Sequence, residues 1–414
     1  MSRATDLPRT AVPQGVAAFF PDVASRMRYI EERVLVTFRR WGYREIVPPL
    51  FEYLEVLSQG LVPETVARGY KVEDRQDGRL MVLRPDVTAQ VARMAAARQE
   101  PPDTPHRYGY ATNVFTHVEA HRGRPREVFQ AGVELLGPGG VDADVEVLSL
   151  LITTLRNLGL TDFVVAMGQS GYFQAILEGL GLDEAGEGAL TAAMQSKDAA
   201  SIRTLLAQAG IDAERAALLE KVPFLIGGAE VFATARSLTQ CKKALGALDH
   251  LEAVVAGLES LGFGGHCLAD LGETRNLSYY TGIVFEVLVP SLGFELGGGG
   301  RYDDLVGRFG HPMNATGFAL DLERVMEALN RAGVAASLPA LDYVVQGDRK
   351  AAYRAAAGLR EAGLRVAVGL SGEDGGVPVV TADGAKLLVN ERGAPRPVEV
   401  TELVSLAAAA RNAG

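Results

Sequence analysis

Residues 114–137 read VFTHVEAHRGRPREVFQAGVELLG, and the fold turns on how this stretch is read. Two apolar/polar alternations, 106–116 and 127–137, flank the segment HVEAHRGRPR at 117–126. Glycine and proline in that segment suit a long loop, which predicts a β-hairpin. Period two in the second strand puts Gln130, Gly132 and Glu134 on one face and Phe129, Ala131, Val133 and Leu135 on the other. The second of these faces belongs to a core. The first carries inward polar groups that are costly to bury without partners. A ligand with an amino group would satisfy them, and so would an internal ion pair with Arg84 or Arg126. With Arg122, Arg124 and Arg126 crowded into the loop, the hairpin suggests a site for an anionic nucleotide beside an amino acid.

Upstream, residues 22–41 place Val23, Met27, Ile30, Val34, Phe38 and Trp41 at steps of three and four, which predicts an amphipathic helix. REIVPPLFEYLEVL (44–57) predicts a strand interrupted by Pro48 and Pro49, with a second helix beginning near Phe51. GRLMVLRPDVTAQVARMAA (78–96) reads as an apolar strand, a sharp Arg84-Pro85-Asp86 turn and a helix opening at Thr88. Asp86 and Thr88 are thereby concentrated at a strand-to-helix corner.

Downstream, a helix is expected near 142–158, followed by an Ala- and Leu-rich helical insertion at about 170–260. Strand character returns in RNLSYYTGIVFEVLVP (275–290) and FELGGGGRYDDLVGRF (294–309), and ATGFALDLERVMEALNRAG (315–333) reads as a strand running into a helix. ASLPALD (336–342) looks like a linker. These features divide the chain into a core domain over 1–335 and a small α/β domain over 340–414. In the latter, YVVQG, RKAAYRAAAGLREAG and LRVAVGL spell strand, helix, strand, and KLLVNE with VTELVSLAAAARNAG adds a strand and a final helix. Its acidic and basic residues balance at nine each.

Composition narrows the function classes. A chain of 414 residues with 48% hydrophobic and 22% charged residues is ordinary for two or three folded domains. No apolar run approaches the roughly 20 residues of a membrane span. MSRATDLPRTAVPQG has no apolar core behind its basic residue, so no secretory signal is expected. Only Cys241 and Cys267 are present, too few for a disulfide framework or a structural zinc site, which suits a reducing cytoplasm. A net charge of −10 argues against broad nucleic-acid binding. The six histidines show no metal-ligand spacing; His117 and His121, four apart, sit in a glycine-interrupted loop rather than on a helix. Neither a metal nor a cofactor is expected.

Several residues could carry chemistry, and each has a plainer reading. The run Gly297 to Gly300 could let backbone approach a ligand closely, or it could be a bulge or tight turn between strands. Arg275 with Tyr279 and Tyr280 could hold a carboxylate and stack on a flat ring, or could be a surface arginine beside core tyrosines.

The order of these segments is more specific. PQGVAAFFPDVASR, LRPDVTAQVAR, GRPREVFQAGVELLG, RNLSYYTGIVFE, GGGGRYDDL and GFALDLERV resemble, in sequence order, six segments of the histidyl-tRNA synthetases, over about residues 13–333. GRPREVFQAGVELLG resembles the second half of motif 2, and GFALDLERV resembles motif 3. The resemblance implies an α+β, class II aminoacyl-tRNA synthetase-like fold: a six- or seven-stranded antiparallel sheet flanked by helices, with a homodimeric core. It maps an amino-acid pocket onto Asp86, Thr88, Gln130, Glu134, Arg275, Tyr279, Tyr280 and Tyr302. Asp86 and Glu134 would receive an ammonium or an imidazole N–H, Gln130 and Thr88 would orient the zwitterion, and the tyrosines would contact the imidazole. Asp86 stands where the family has glutamate and is one methylene shorter.

The adenylation segments depart further. The arginine and glutamate of motif 2 fall on Thr116 and Val118, neither of which can replace the charged group that is lost. Loss of one such donor removes on the order of a hundredfold to a thousandfold in rate. Asp321 replaces a motif 3 glycine, Arg324 matches the motif 3 arginine, and Ser278 replaces an aspartate. The C-terminal segment resembles a shortened anticodon-binding domain whose neutral charge is poor for gripping tRNA.

A histidine pocket without adenylation residues resembles the ATP phosphoribosyltransferase regulatory subunits. That resemblance implies no catalysis by the chain, histidine as ligand, and assembly of its homodimeric core with a short-form catalytic phosphoribosyltransferase. It also implies a part in the first step of histidine biosynthesis, with feedback by histidine and no tRNA or membrane partner. Two alternatives stand beside it: a divergent active histidyl-tRNA synthetase, and a synthetase paralogue serving another amino-acid enzyme or a tRNA-related complex.

Overall fold

The computed structural model describes residues 10–117, 125–272, 279–334, 341–370, 377–391 and 394–413. Val118, His121, Arg122, Arg124, Arg275, Ser278 and most of the 336–342 linker lie outside the described residues. The chain forms two compact units, 1–336 and 337–414.

The first unit opens with α1 (Pro21–Arg40), whose Met27, Ile30, Val34 and Phe38 form the buried stripe. Val23, expected in that stripe, is exposed because it sits in the first turn, short of the sheet. Next come β1 (Arg44–Glu45), β2 (Phe51–Tyr53), α2 (Leu54–Leu57), α3 (Pro63–Arg68), β3 (Lys71–Glu73), β4 (Leu80–Leu83) and α4 (Thr88–Arg98). The expected helix start near Phe51 is three residues early. Phe51 to Tyr53 instead pair antiparallel with β4, Phe51 opposite Leu83, and the helix follows that strand.

The hairpin consists of β5 (His106–Phe115) and β6 (Glu127–Gly137), paired from His106 opposite Leu136 to Phe115 opposite Glu127. After α5 (Val141–Asn157) and β7 (Val164–Gln169) come six helices: α6 (Ser170–Glu178), α7 (Glu184–Gln195), α8 (Ala199–Gln208), α9 (Ala213–Leu219), α10 (Glu230–Ser237) and α11 (Lys242–Ser260). One short strand, β8 (Ile226–Gly227), interrupts them. The unit closes with β9 (Cys267–Asp270), β10 (Ile283–Leu288), β11 (Glu295–Arg301), β12 (Asn314–Asp321) and α12 (Leu322–Arg331).

Nine strands form one sheet in the order β1-β5-β6-β12-β11-β10-β7-β9-β8. Its six central strands, β5 to β7 in that order, are all antiparallel. The expected six or seven strands are exceeded because short edge strands extend this centre: β1 pairs parallel with β5, β9 parallel with β7, and β8 antiparallel with β9. Two-residue edges such as β1 and β8 carry too little pattern to read from sequence. The core face of β6 behaves as its alternation requires. Ala131, Val133 and Leu135 are buried with α1 and α5, and Phe38 packs edge-on against Phe318 of β12 at 5.8 Å.

Gly297 to Gly300 lie within β11, in the middle of the sheet, and not in a turn. Partners on either side are too close for side chains there. A Cβ on Gly299 would strike the Gly317 carbonyl, and one on Gly298 the Phe285 carbonyl. The irregularity that glycine permits is a register shift opposite Val287 and Leu288.

The second unit comprises β13 (Tyr343–Gly347), α13 (Arg349–Glu361), β14 (Val366–Val368), β15 (Val379–Asp383), β16 (Lys386–Glu391), β17 (Ala394–Val398) and α14 (Val400–Ala413). Sheet order is β14-β13-β15-β16-β17, parallel on the β14 side of β15 and antiparallel beyond it. Asp348 caps α13 by accepting from the Lys350 and Ala351 amides. Pro395 and Pro397 in β17 mask that strand's pattern and are tolerated because it is an edge.

Candidate ligand-binding site

The corner between β4 and α4, the polar face of β6, the segment before β10 and the end of β11 converge on a cavity of about 110 Å3. Asp86, Thr88, Gln130, Tyr279, Tyr280 and Tyr302 line it. Glu134 lies beneath it, 1% exposed. Seven of the eight residues expected from sequence therefore come together, and Arg275 lies outside the described residues.

Each side chain is placed by its element. Asp86 Oδ1 accepts from the Ala89 amide at 3.1 Å, which ties the carboxylate to the first turn of α4. Thr88, the first residue of that helix, donates to Glu134 Oε1 at 2.7 Å. Tyr302 donates to Glu134 Oε2 in a short contact, and Tyr110 reaches Oε1 at 3.5 Å. Gly317, opposite Glu134 in the sheet, makes room for this cluster, since a Cβ there would collide with the carboxylate. The Tyr279 ring stands 5.6 Å from Tyr302 and 5.1 Å, edge-on, from Tyr280. Tyr279 Oη is buried without a hydrogen-bond partner among the described residues.

Electrostatics follow from the burial of these groups. Burial pushes the Glu134 carboxyl well above its usual range despite the Thr88 hydrogen bond, and neighbouring Asp86 adds to the shift. Burial also raises Asp86. The internal ion pair left open by the sequence is not formed by Arg84. Its guanidinium serves the carbonyls of Asn113 at 2.6 Å and Pro48 at 2.9 Å, plus the Thr112 hydroxyl. Arg126 packs against Gly15 instead.

A second, outer chamber of about 400 Å3 shares Gln130, Tyr280, Gly298, Gly299 and Ala319 with the inner cavity. Here Arg324 stands, but it is engaged. It donates to the Glu295 carboxylate and carbonyl at 2.7 Å each, its Nε lies 3.1 Å from Asp321, and its guanidinium covers the Phe294 ring at 5.3 Å. Asp321 also caps α12, accepting from Glu323 and Arg324 amides. Of the motif 2 positions, Thr116 is held in the hairpin by its amide to the Arg126 carbonyl, and Val118 lies outside the described residues.

Sequence reading missed Tyr110, Gly317 and the Glu295 partner of Arg324. Tyr110 was findable, since it faces Gly132 across the hairpin on the same polar face. The Glu295 contact joins residues 29 apart and leaves no local signature. Among the described residues, no cluster of His, Cys, Asp or Glu could hold a metal, and no helix is long and apolar enough to cross a membrane.

Comparison with known proteins follows the same lines. The histidyl-tRNA synthetase family model matches residues 15–325. A protein of Moorella thermoacetica named ATP phosphoribosyltransferase regulatory subunit is 39% identical over 371 residues, covering 89% of this chain and 94% of its own. One of the same name from Symbiobacterium thermophilum is 40% identical over 369 residues, covering 88% and 92%. The chain belongs to the ATP phosphoribosyltransferase regulatory-subunit family. Within that family's wider fold, a Bacillus halodurans structure described as an ATP phosphoribosyltransferase regulatory subunit/histidyl-tRNA synthetase superposes with a TM-score of 0.79 at 30% identity, over 89% of this chain and 95% of that one. A Nostoc histidyl-tRNA synthetase shares the fold at a TM-score of 0.79 and 21% identity, over 98% of this chain and all of its own.

Proposed function

We propose that the chain is the noncatalytic regulatory subunit of ATP phosphoribosyltransferase, binding histidine in the inner cavity and acting on a short-form catalytic partner in the first step of histidine biosynthesis. The observation that carries this reading is an asymmetry between two adjoining chambers. The inner one assembles hydroxyls, an amide and two carboxylates suited to an ammonium and an imidazole. The outer one, where a synthetase would hold ATP, has its arginine engaged by two carboxylates. An anionic triphosphate there would meet Asp321 and Glu295 before any free cation, so aminoacyl adenylate is not made.

Histidine regulates only if it binds one conformation of the complex better than another. Its ammonium and imidazole tie α4, β6 and the Tyr279–Tyr280 segment together, and the catalytic partner responds to that closure. The working assembly has a homodimeric core and binds neither tRNA nor membrane.

Calorimetry of histidine binding to the intact chain, repeated on Glu134→Ala, tests the ligand. Copurification with a short phosphoribosyltransferase tests the partner. Histidine-dependent exchange between ATP and pyrophosphate separates this reading from a divergent synthetase, and robust exchange would overturn it.

A further inference from the structure

Arg301, the last residue of β11, is 5% exposed and lies on the helix-facing side of the sheet. Its guanidinium reaches both Asp144 oxygens of α5, Nη2 at 2.9 Å and Nε at 3.2 Å, together with the Gly140 carbonyl and Asp303 Oδ1 at 3.0 Å each. Asp144, 1% exposed, is also joined to His250 Nε2 of α11 at 2.8 Å. Beside an arginine the carboxylate is an acceptor, so the histidine donates. Hydrogen bonds thus run from the helical insertion to the strand that ends at the inner cavity.

Side chains alternate along a strand. Arg301 pairs with Thr316, which pairs with core-facing Leu135, whereas the next residue, Tyr302, donates to Glu134 on the cavity side. The backbone of Tyr302 is pinned to β12: its amide donates to the Ala315 carbonyl at 2.8 Å, and the Ala315 amide donates to Asp303 Oδ1 at 3.0 Å. Thr281, which follows Tyr279 and Tyr280, is pinned as well. Its amide donates to the Arg301 carbonyl at 2.8 Å and its hydroxyl accepts from the Asp303 amide at 2.9 Å. A Cβ on Gly282 would stand 2.9 Å from Arg301 Cδ, and one on Gly300 would strike the Tyr280 ring, so arginine, tyrosine and backbone are in close contact.

A buried ion pair contributes little net stability over a well-packed apolar replacement; what a guanidinium fork adds is direction. We propose that Arg301 is a positioning residue for the inner cavity, and that the helical insertion sets its placement through His250 and Asp144. A shift of α11 moves Arg301, and with it the segments bearing Tyr302 and Tyr280. By reciprocity, a ligand that fixes those tyrosines steadies α11.

The ligand in the test rests on the histidine reading; the positioning does not. Histidine is titrated calorimetrically into the full wild-type chain and into His250→Ala, His250→Gln and Arg301→Lys, with urea unfolding of each alongside. His250 is a quarter exposed, so its removal leaves the buried Arg301–Asp144 pair in place. Glutamine restores a donor to Asp144, and lysine keeps the charge there but loses the fork. Affinity should fall roughly 3- to 30-fold in His250→Ala and Arg301→Lys and recover in His250→Gln. Lower stability with wild-type affinity in either weakened variant would mark a merely structural network and overturn the proposal, as would equal losses in the alanine and glutamine variants. Should Arg301→Lys fail to fold, the two His250 variants decide. Hydrogen exchange needs no ligand: the Thr281, Tyr302 and Ala315 amides should lose protection in His250→Ala and keep it in His250→Gln, and unchanged protection in His250→Ala contradicts the positioning. If histidine gives no heat with the wild-type chain, the histidine reading fails and exchange alone decides the role of Arg301.

Discussion

Arg324 Nη1 donates to both the carbonyl oxygen and Oε1 of Glu295, each at 2.7 Å, while Asp321 approaches from its own helix. Charge-assisted pairing of this kind removes the arginine from any phosphate. Glu295 and Asp321 thus leave the outer chamber around Arg324 with net negative charge. The double variant Glu295→Ala/Asp321→Gly should gain measurable ATP affinity by fluorescence or calorimetric titration, yet still fail to exchange pyrophosphate, because Thr116 offers no cation.

Asp321 has a second role as the cap of α12. Asp321→Ala should therefore destabilise the chain by about 1 kcal/mol in denaturant unfolding. Histidine binding should stay near the wild-type value, since Asp321 lies in the outer chamber only.

Glu134→Ala removes the acceptor for Thr88 and Tyr302 and one of the two cavity carboxylates. A charged hydrogen bond of this type is worth about 1.5–3 kcal/mol, so histidine affinity should fall roughly 10- to 150-fold. Calorimetry reads that loss directly.

Gly317→Ala should cost about 1–3 kcal/mol of stability and lower histidine affinity together. Its Cβ collides with the Glu134 carboxylate and the Val133 carbonyl, and neither can retreat within the sheet. Unchanged stability would show that β6 and β12 are looser than their pairing indicates.

Glu323 faces α1 and the loop end of the hairpin, where burial, then Asp321 and Glu127, raise its carboxyl from 4.5 to about 7. The folded state therefore holds this proton more tightly than the unfolded chain. Its contribution to stability is present below about 4.5 and lost as pH rises through about 7. Glu323→Gln should gain stability relative to wild type at pH 8 but not at pH 4, measured by urea unfolding.

Much of this was legible in the sequence because period and order are local or cumulative signals. The stripe of Met27, Ile30, Val34 and Phe38 gives α1, and the alternation of Phe129 to Leu135 gives the two faces of β6. Six ordered segments gave the fold even though each was weak alone. Glycines 297–300 were ambiguous, because a turn and a crowded central strand make the same demand for a missing Cβ. The capture of Arg324 by Glu295 depends on two elements meeting across the fold, which no local pattern encodes. Short edges such as β8 gain their strand character only from their neighbours.

The central claim is that occupancy of the inner cavity governs a separate catalytic chain. Its most direct test is a histidine titration of phosphoribosyltransferase activity in the complex reconstituted with wild-type or Glu134→Ala regulatory chain. The wild-type complex should be inhibited by histidine, and the variant complex should assemble, turn over and resist inhibition. Equal sensitivity of the two complexes would contradict the account.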